Sequence, residues 1–484
     1  MPSLLLILMG LGLLLLLLSG DWRSSLLYTI FVGFAQDPLR KITPDQPGLY
    51  VGLVLIAAVI TVISAYLARG SLQLKQMVSG NRTLVDLFPI FVGLVIIQCF
   101  NSFARYGSLT LTGVGLGFYA APILALWLGF QFSQRPQDVP KLMKLYILMA
   151  ILFSITVAMS FWGYSNPIFK EVGKGVFIHF DELGMAIQGH VGLWRSSEIA
   201  AWHLGAASCF TLILGITTRR TEWIAISALL ATMLLGVSVM TGRRKVISLV
   251  IGFVAIYGVM ISWKAGRTSR DNFIAGLGIA VILIGMFLIG GGDDTLQGNT
   301  FGAFLRRGGT VWGDINDRFN ELGVGTIRSA IDKAGLGGLG VGAANQGGNQ
   351  SLGLKVTGAY IGGAGEGGLG KIVLELGLLG LGIVGMLGFT LVRHYFRILN
   401  GRLIRYPDYA LLNIGLIAFL AANVPVFIVA SQVYSDPFVL LILGLCGGFV
   451  LGVPSVIAST EQRRLEAAEQ AELARLSLPH QDPA

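Results

Sequence analysis

The sequence predicts an all-α polytopic membrane protein with about 12 transmembrane helices and one large extracytoplasmic loop, and three observations point there. Charged residues make up only 13% of the 484 residues, about half the ~25% of soluble chains. Hydrophobic residues make up 54%, and at ~20 apolar residues per spanning helix that stock suffices for ~12 passes. The 66 glycines exceed the ordinary ~7% share and crowd into one late stretch. A soluble enzyme, a coiled coil and a disordered scaffold are all excluded by this composition.

Taken in order, apolar windows predict spans over 3–20, 49–69, 84–103, 109–132, 145–163, 200–217, 224–242, 246–266, 273–292, 372–392, 411–430 and 439–458. The first runs from Leu4 to Leu18 almost without a polar residue. With no basic stretch ahead of it and no Ala-x-Ala site before Asp21, it reads as a retained span rather than a removed signal peptide. Residues 26–35 are apolar but too short to cross, so a re-entrant or interfacial segment is expected before Gln36–Asp37–Pro38. Residues 164–199 form a moderately polar loop. The chain thus divides into a transmembrane region 1–292, a glycine-rich extracytoplasmic loop 293–371, a second transmembrane region 372–458 and a tail 459–484, helical and charged from Thr460.

Sidedness follows from Lys and Arg in short loops. With the N-terminus in the cytoplasm, five inward connections carry 15 basic residues, among them Arg135, Lys141, Arg219, Arg220, Arg393 and Arg397. Both termini are then expected in the cytoplasm of a multi-pass plasma (inner) membrane protein, with 164–199 and 293–371 facing outward. The net charge of +9 is mostly topological and is no sign of nucleic-acid binding. Three cysteines (Cys99, Cys209, Cys446) and five histidines show no disulfide or metal spacing, so no metal is expected.

One cluster breaks the sidedness pattern. Thr241–Gly242–Arg243–Arg244–Lys245 puts three cations in a tight outer hairpin. Three readings stand: an anion site at the membrane surface, where arginine offers forked donors to a phosphate, a span count that is off by one, or cations that snorkel to lipid headgroups. Nearby, Arg195 and Glu198 stand between Trp194 and Trp202, either paired with each other or with Arg195 joining the 243–245 cluster around one phosphate.

From Gly335 to Gly370, 15 of 36 residues are glycine. Glycine allows left-handed dihedrals and close backbone approach, so an ordered, ligand-lining loop is expected rather than a linker. Ahead of it, Ile315, Phe319, Leu322, Ile327 and Ile331 recur at helical spacing, which predicts an amphipathic helix kinked by Gly323 and Gly325. Arg318 lies on its polar side as a supporting residue. Seven basic and seven acidic residues cancel across 293–371, so the loop is no polyanion trap. Glu366 sits at the outer mouth among glycines, either as a general base for a sugar hydroxyl or as an ion-pair or helix-terminus charge. Glu375 falls inside a span, where an ionisable group is expensive; a functional group and a structural hydrogen-bond partner are both open readings.

At this point the layout resembles the O-antigen ligase and polysaccharide polymerase superfamily of bacterial envelopes. The stretch Gly192-Leu-Trp-Arg-Ser-Ser-Glu-Ile-Ala-Ala201 is similar to its Gly-x-aromatic-x-x-Pro-Asn-x-x-Ala motif, with Ser197–Glu198 where Pro-Asn is usual. Thr241–Gly242–Arg243–Arg244 resembles its Ser-x-Ser-Arg turn, and Glu366 to Gly380 resembles the His-Asn-x-x-Leu…Glu-x-Gly-Leu-x-Gly end of the large loop. Glu375 and Gly377 fall on the family Glu and Gly, while Glu366 stands where ligases carry a histidine. That departure shifts the expectation toward a divergent polymerase or exopolysaccharide-type member. The resemblance implies a metal-independent and cofactor-free glycosyl transfer from an undecaprenyl-diphosphate oligosaccharide at the outer membrane face. It implies Glu366 as the catalytic group, Arg195, Arg243, Arg244 and Lys245 on the diphosphate, and Glu198, Arg318 and Glu375 in support. The partners implied are the lipid-linked oligosaccharide, an acceptor glycan or lipid, membrane lipids and a chain-length regulator.

The competing class is a membrane transporter or lipid flippase. Such a protein should show paired mid-membrane charges and repeat-related interrupted helices; few charges fall mid-span here and no internal repeat stands out.

Overall fold

A computed structural model describes residues 2–70, 77, 81–172, 177–180, 185–264, 271, 273–274, 319–344, 365–401 and 407–476. The helices are α1 (Pro2–Ser19), α2 (Trp22–Ile42), α3 (Leu53–Arg69), α4 (Arg82–Tyr106), α5 (Leu109–Phe132), α6 (Asp138–Phe161), α7 (Ser197–Thr218), α8 (Thr221–Val239) and α9 (Lys245–Lys264). After a π-helical turn at Phe319–Val324 come α10 (Gly325–Ala334), α11 (Gly368–Asn400), α12 (Pro407–Val429) and α13 (Pro437–Leu476). The described residues are helical, as expected, apart from a short hairpin of β1 (Phe177–Phe180) and β2 (Met185–Gln188) in the 164–196 connection. Among the described residues, eleven helices are long and apolar enough to cross a membrane, which identifies a polytopic membrane protein. The expected span beyond residue 274, most of the loop 293–371 and Arg318 lie outside the described residues.

Helix ends follow local chemistry. Asp21, Asn81, Ser108 and Ser196 accept the N–H of the residue three positions on, at 3.2, 3.4, 3.2 and 3.4 Å, as N-caps do. Gly70 and Gly107 close α3 and α4 in the left-handed conformation, each donating its N–H back to the helix. Helices α5 and α13 run parallel in close contact. Gly444, Gly448 and Gly452 recur every four residues on α13, and a Cβ at any of them would overlap the α5 backbone or Ser133. Small residues at this spacing let lipid-embedded helices approach closely, where van der Waals packing rather than water exclusion drives association.

Segment 26–35 is neither re-entrant nor interfacial. It is the middle of the 21-residue helix α2, which packs inside the bundle with Leu26, Ile30 and Phe34 at most 1% exposed. Near its start Arg23 donates to Asp138 at 2.7 Å; near its end Lys41 donates to the Gly192 carbonyl at 2.7 Å. Helix α2 therefore runs the length of the bundle, from what we call the Asp138 end to the Arg195 end. Helix α1 folds back along it, with Tyr28 donating to the Met9 carbonyl at 3.4 Å. The expected kink in the amphipathic segment is the π-helical turn, after which α10 rests Ala330 on Val373 and Leu374 of α11.

The core at the centre is aromatic. Phe34, Tyr146, Phe153, Trp194, Trp202, His203, Phe210 and Phe438 interlock, mostly edge to face, with centroids 4.7–6.3 Å apart. Tyr146 and His203 hydrogen-bond at 2.6 Å within it. Exposed Trp162 and Tyr164 mark the Arg195 end and exposed Trp223 and Trp263 the Asp138 end, the levels where amphipathic rings meet the membrane surface.

Candidate functional site

The predicted site residues gather at the Arg195 end, in three arrangements. The first is a buried clamp. The turn 191–196 before α7 carries Arg195, whose guanidinium donates to Asp37 of α2 at 3.0 Å and to Asp436, while its backbone N–H reaches Asp37 at 3.2 Å. Asp436 also caps α13 by accepting from Val439 at 2.9 Å. Burial pulls the Arg195 guanidinium down, but Asp436 and Asp37 more than offset it and hold its pKa above the ordinary value. Both carboxylate partners are nearly fully buried. Arg195 thus neither pairs with Glu198 nor joins the 243–245 cluster; it ties α2 to the N-terminus of α13.

The second arrangement is a charged cleft. Helices α7 and α9 start side by side because Gly205 lets Val246 pack against the α7 backbone. That brings the α8–α9 turn over the first turn of α7. Arg243 Nε donates to Ser197 at 2.8 Å and its Nη1 to Glu198 at 3.3 Å, while Lys245 Nζ stands 3.6 Å from the same Glu198 oxygen. Ser197 in turn donates its N–H to Glu171 at 3.1 Å. These residues line a narrow cleft whose floor is Ala201, Trp202, Val246 and Leu249 and whose far wall is Val426, Ala430 and Val433 of α12 and the turn after it. Its volume of about 20 Å³ has room for a water. The chemistry is that of an anion site occupied by an internal carboxylate: two cations against one acid, above an apolar floor. Arg244 is half-buried beside them, and its carbonyl accepts the N–H groups of Ile247 and Ser248 in the first turn of α9.

The third arrangement holds Glu366. From Gly365 to Leu376 every residue is buried or half-buried except Glu366, which is exposed. Ser431 donates its N–H to the Glu366 carbonyl at 2.7 Å and its hydroxyl to the Gly365 carbonyl at 2.6 Å. On the other side Gly367 meets Leu322 of the π-helical turn so closely that a Cβ would overlap its carbonyl. The carboxylate is therefore carried on a fixed backbone and points out of a buried run. The turn from Ala430 to Asp436 contacts all three arrangements: Ser431 at Glu366, Ala430 and Val433 in the cleft wall, Asp436 on Arg195.

Glu375 has the hydrogen-bond partners that its structural reading calls for. It is 0% exposed; its carboxylate accepts from Tyr119 at 2.6 Å and from the Ala344 N–H at 3.2 Å, and Lys371 lies 3.9 Å away. It anchors residues 335–344, the first described part of the glycine-rich stretch, inside the bundle. There Leu339 and Gly340 donate to the carbonyls of Leu374 and Glu375, and Gln98 of α4 donates to the Gly337 carbonyl at 2.8 Å. Gly377 adopts φ +75° and breaks α11 so that Leu378 can donate to the Leu336 carbonyl. The loop is ordered against the helices as expected here; residues 345–364 lie outside the described residues.

Asp37, Glu171, Ser197, Ser431 and Asp436 were not among the sequence candidates. An Asp two residues after an apolar segment and one immediately before a span were the only signals available for Asp37 and Asp436. No protein-family model matches the chain, and comparison with curated proteins finds no match.

Proposed function

We propose that the chain transfers a glycan from a lipid diphosphate carrier to an acceptor hydroxyl, as a polymerase or ligase of cell-surface polysaccharide. The observation that carries this reading is the pairing at one end of the bundle of a cation-rich cleft over an apolar floor with a rigidly held, exposed carboxylate, joined by the Ala430–Asp436 turn. The resemblance of the 192–201, 241–244 and 366–380 motifs supports it independently.

In this reading the donor diphosphate displaces Glu198 from Arg243 and Lys245, and its polyprenyl tail follows the apolar side of the cleft. The acceptor hydroxyl attacks the anomeric carbon as Glu366 takes its proton. The bond from that carbon to the diphosphate oxygen breaks, and the electron pair leaves on the diphosphate, where Arg243 and Lys245 stabilise the charge. Arg195 holds the frame, and Glu375 holds the loop.

The Arg195 end is proposed to face outward, because Arg135, Lys141, Lys144, Arg219 and Arg220 cluster at the other end, as cytoplasmic loops do. With α2 running the bundle's length, the start of α1 then faces outward while the end of α13 is cytoplasmic. In this reading the termini lie on opposite sides, unlike the expectation of two cytoplasmic termini.

A second reading, a transporter or flippase, draws on the break at Gly377 beside the buried Lys371–Glu375 pair, since interrupted helices with buried charges mark transport sites. The backbone groups freed at that break are bonded to the 336–340 segment, which favours an anchoring role. The separating experiment is reconstitution in vesicles with a lipid-diphosphate oligosaccharide. Size-resolved glycan products support transfer; movement of intact donor across the bilayer without new glycosidic bonds supports transport.

A further inference from the structure

Lys371, in the first turns of α11, is a buried cation with no part in the proposed reaction. An ammonium inside a lipid-embedded helix is expensive, and such groups are kept where they act. Its Nζ donates to Ser435 Oγ at 2.8 Å, lies 4.4 Å from the Phe118 ring centre and stands 3.9 Å from Glu375, beyond hydrogen-bond length. Ser435 Oγ passes the contact on, donating to the Ser431 carbonyl at 3.1 Å. Ser431 then grips the Gly365 and Glu366 carbonyls at 2.6 and 2.7 Å. The Lys371 N–H closes the ring by donating to the Gly367 carbonyl at 3.0 Å. Six residues from two distant parts of the chain, Gly365, Glu366, Gly367, Lys371, Ser431 and Ser435, thus form one hydrogen-bonded ring, and the only side chain leaving it toward solvent is that of Glu366.

We infer that Lys371 is a positioning residue for Glu366: through Ser435 it fixes the turn whose Ser431 holds the Glu366 backbone. The inference rests on the reading of Glu366 as the group that activates the acceptor. Lys371 itself touches no substrate. A change in the ring moves the base relative to the acceptor but leaves the charged groups of the donor cleft in place, because Glu198 lies on α7, Lys245 on α9 and Arg243 in the turn between α8 and α9; only the apolar far wall at Ala430 and Val433 shares the ring's turn.

The test uses the full-length protein in nanodiscs and two variants. Ser435→Ala removes the acceptor from Lys371 while keeping the Lys371–Glu375 pair. The double variant K371M/E375Q removes both charges together, so no unpaired charge is stranded in the core. Two readouts are expected. Amide exchange at Ser431 speeds up by about tenfold or more in both variants, while in Ser435→Ala, which keeps Glu375, Leu339 and Gly340 exchange as in the wild type. In glycan transfer, kcat falls by about tenfold or more, with the KM for the lipid-diphosphate donor within about twofold. Unchanged exchange at Ser431 in both variants overturns the inference, whatever the transfer assay gives. Faster exchange with wild-type kcat also overturns it, because the ring then holds nothing that matters to turnover. Loss of donor KM together with kcat does so as well, because the ring would then be a general structural support. A wild-type protein that forms no glycosidic bond refutes the proposed function instead, and the exchange readout still decides whether Lys371 holds the Glu366 backbone.

Discussion

Replacing Glu375 with alanine separates an anchor from a catalyst. Its carboxylate, with no exposure, accepts from Tyr119 at 2.6 Å and from Ala344 at 3.2 Å, with Lys371 at 3.9 Å. Hydrogen bonds to a charged acceptor contribute ~1.5–3 kcal/mol each, and stranding a buried charge by removing its partner costs ~3–5 kcal/mol. These contributions overlap, since the same carboxylate supplies all of them, so the expected loss is about 4–6 kcal/mol rather than their sum. Glu375→Gln keeps an oxygen for Ala344 and a polar group for Tyr119, and should cost about 2 kcal/mol. The assay is denaturation of the purified protein in detergent, followed by tryptophan fluorescence, with proteolysis of residues 335–344 as a local readout. Early cleavage there with a lowered midpoint supports the anchor. An alanine variant as stable as the wild type, its loop protected, yet inactive would refute the reasoning and make Glu375 catalytic.

Other expectations follow from the same geometry. Glu198→Gln removes the internal competitor from Arg243 and Lys245, so the protein should bind inorganic pyrophosphate about tenfold more tightly by calorimetry, while Arg243→Ala should weaken it by a similar factor. Gly448→Leu should prevent the α5–α13 contact, since even a Cβ there would overlap the Leu126 carbonyl; size-exclusion chromatography should show aggregated protein, whereas Gly385→Leu, facing open space, should elute normally. His190 lies outside the spans, bonded to Ser160 at 3.1 Å, and burial lowers its pKa below the ordinary 6.5. As pH falls below about 6.5 the unfolded chain takes up that proton first, so the contribution present above this pH is lost on acidification. Thermal midpoints of wild type and His190→Phe compared between pH 7.5 and 5 should show a smaller drop in the variant.

Most spans were legible because lipid imposes a simple demand: a long apolar run with its backbone bonds satisfied internally. Residues 109–132 show it at its plainest, the expected span and α5 being the same. Helix α2 was not legible, because Gln36, Asp37, Arg40 and Lys41 shorten its apolar window. Their partners are remote: Asp37 meets Arg195 158 residues away, and Arg40 bonds the Gln46 carbonyl of the following loop. Polarity that is satisfied across the fold cannot be told from polarity exposed to water by a local window. The same limit explains Glu375, whose Tyr119 partner is 256 residues distant, and the misassignment of Arg195, whose second carboxylate is 241 residues away. Glu198 and Arg243 were both singled out, but their pairing depends on α7 and α9 starting together. The Gly444–Gly448–Gly452 spacing is a packing signal of known meaning, but it was not singled out, because the glycines of 335–370 outweigh it in number.

The central claim is that the Arg243 cleft and Glu366 make up one glycosyl-transfer site. Its most direct test is product formation in nanodiscs from a defined lipid-diphosphate oligosaccharide, with wild type, Arg243→Ala and Glu366→Ala at matched, correctly inserted amounts. The account predicts new glycosidic bonds with the wild type, at least about 100-fold fewer with either variant, and a donor KM raised by the Arg243 change alone. Wild-type turnover in both variants would contradict it.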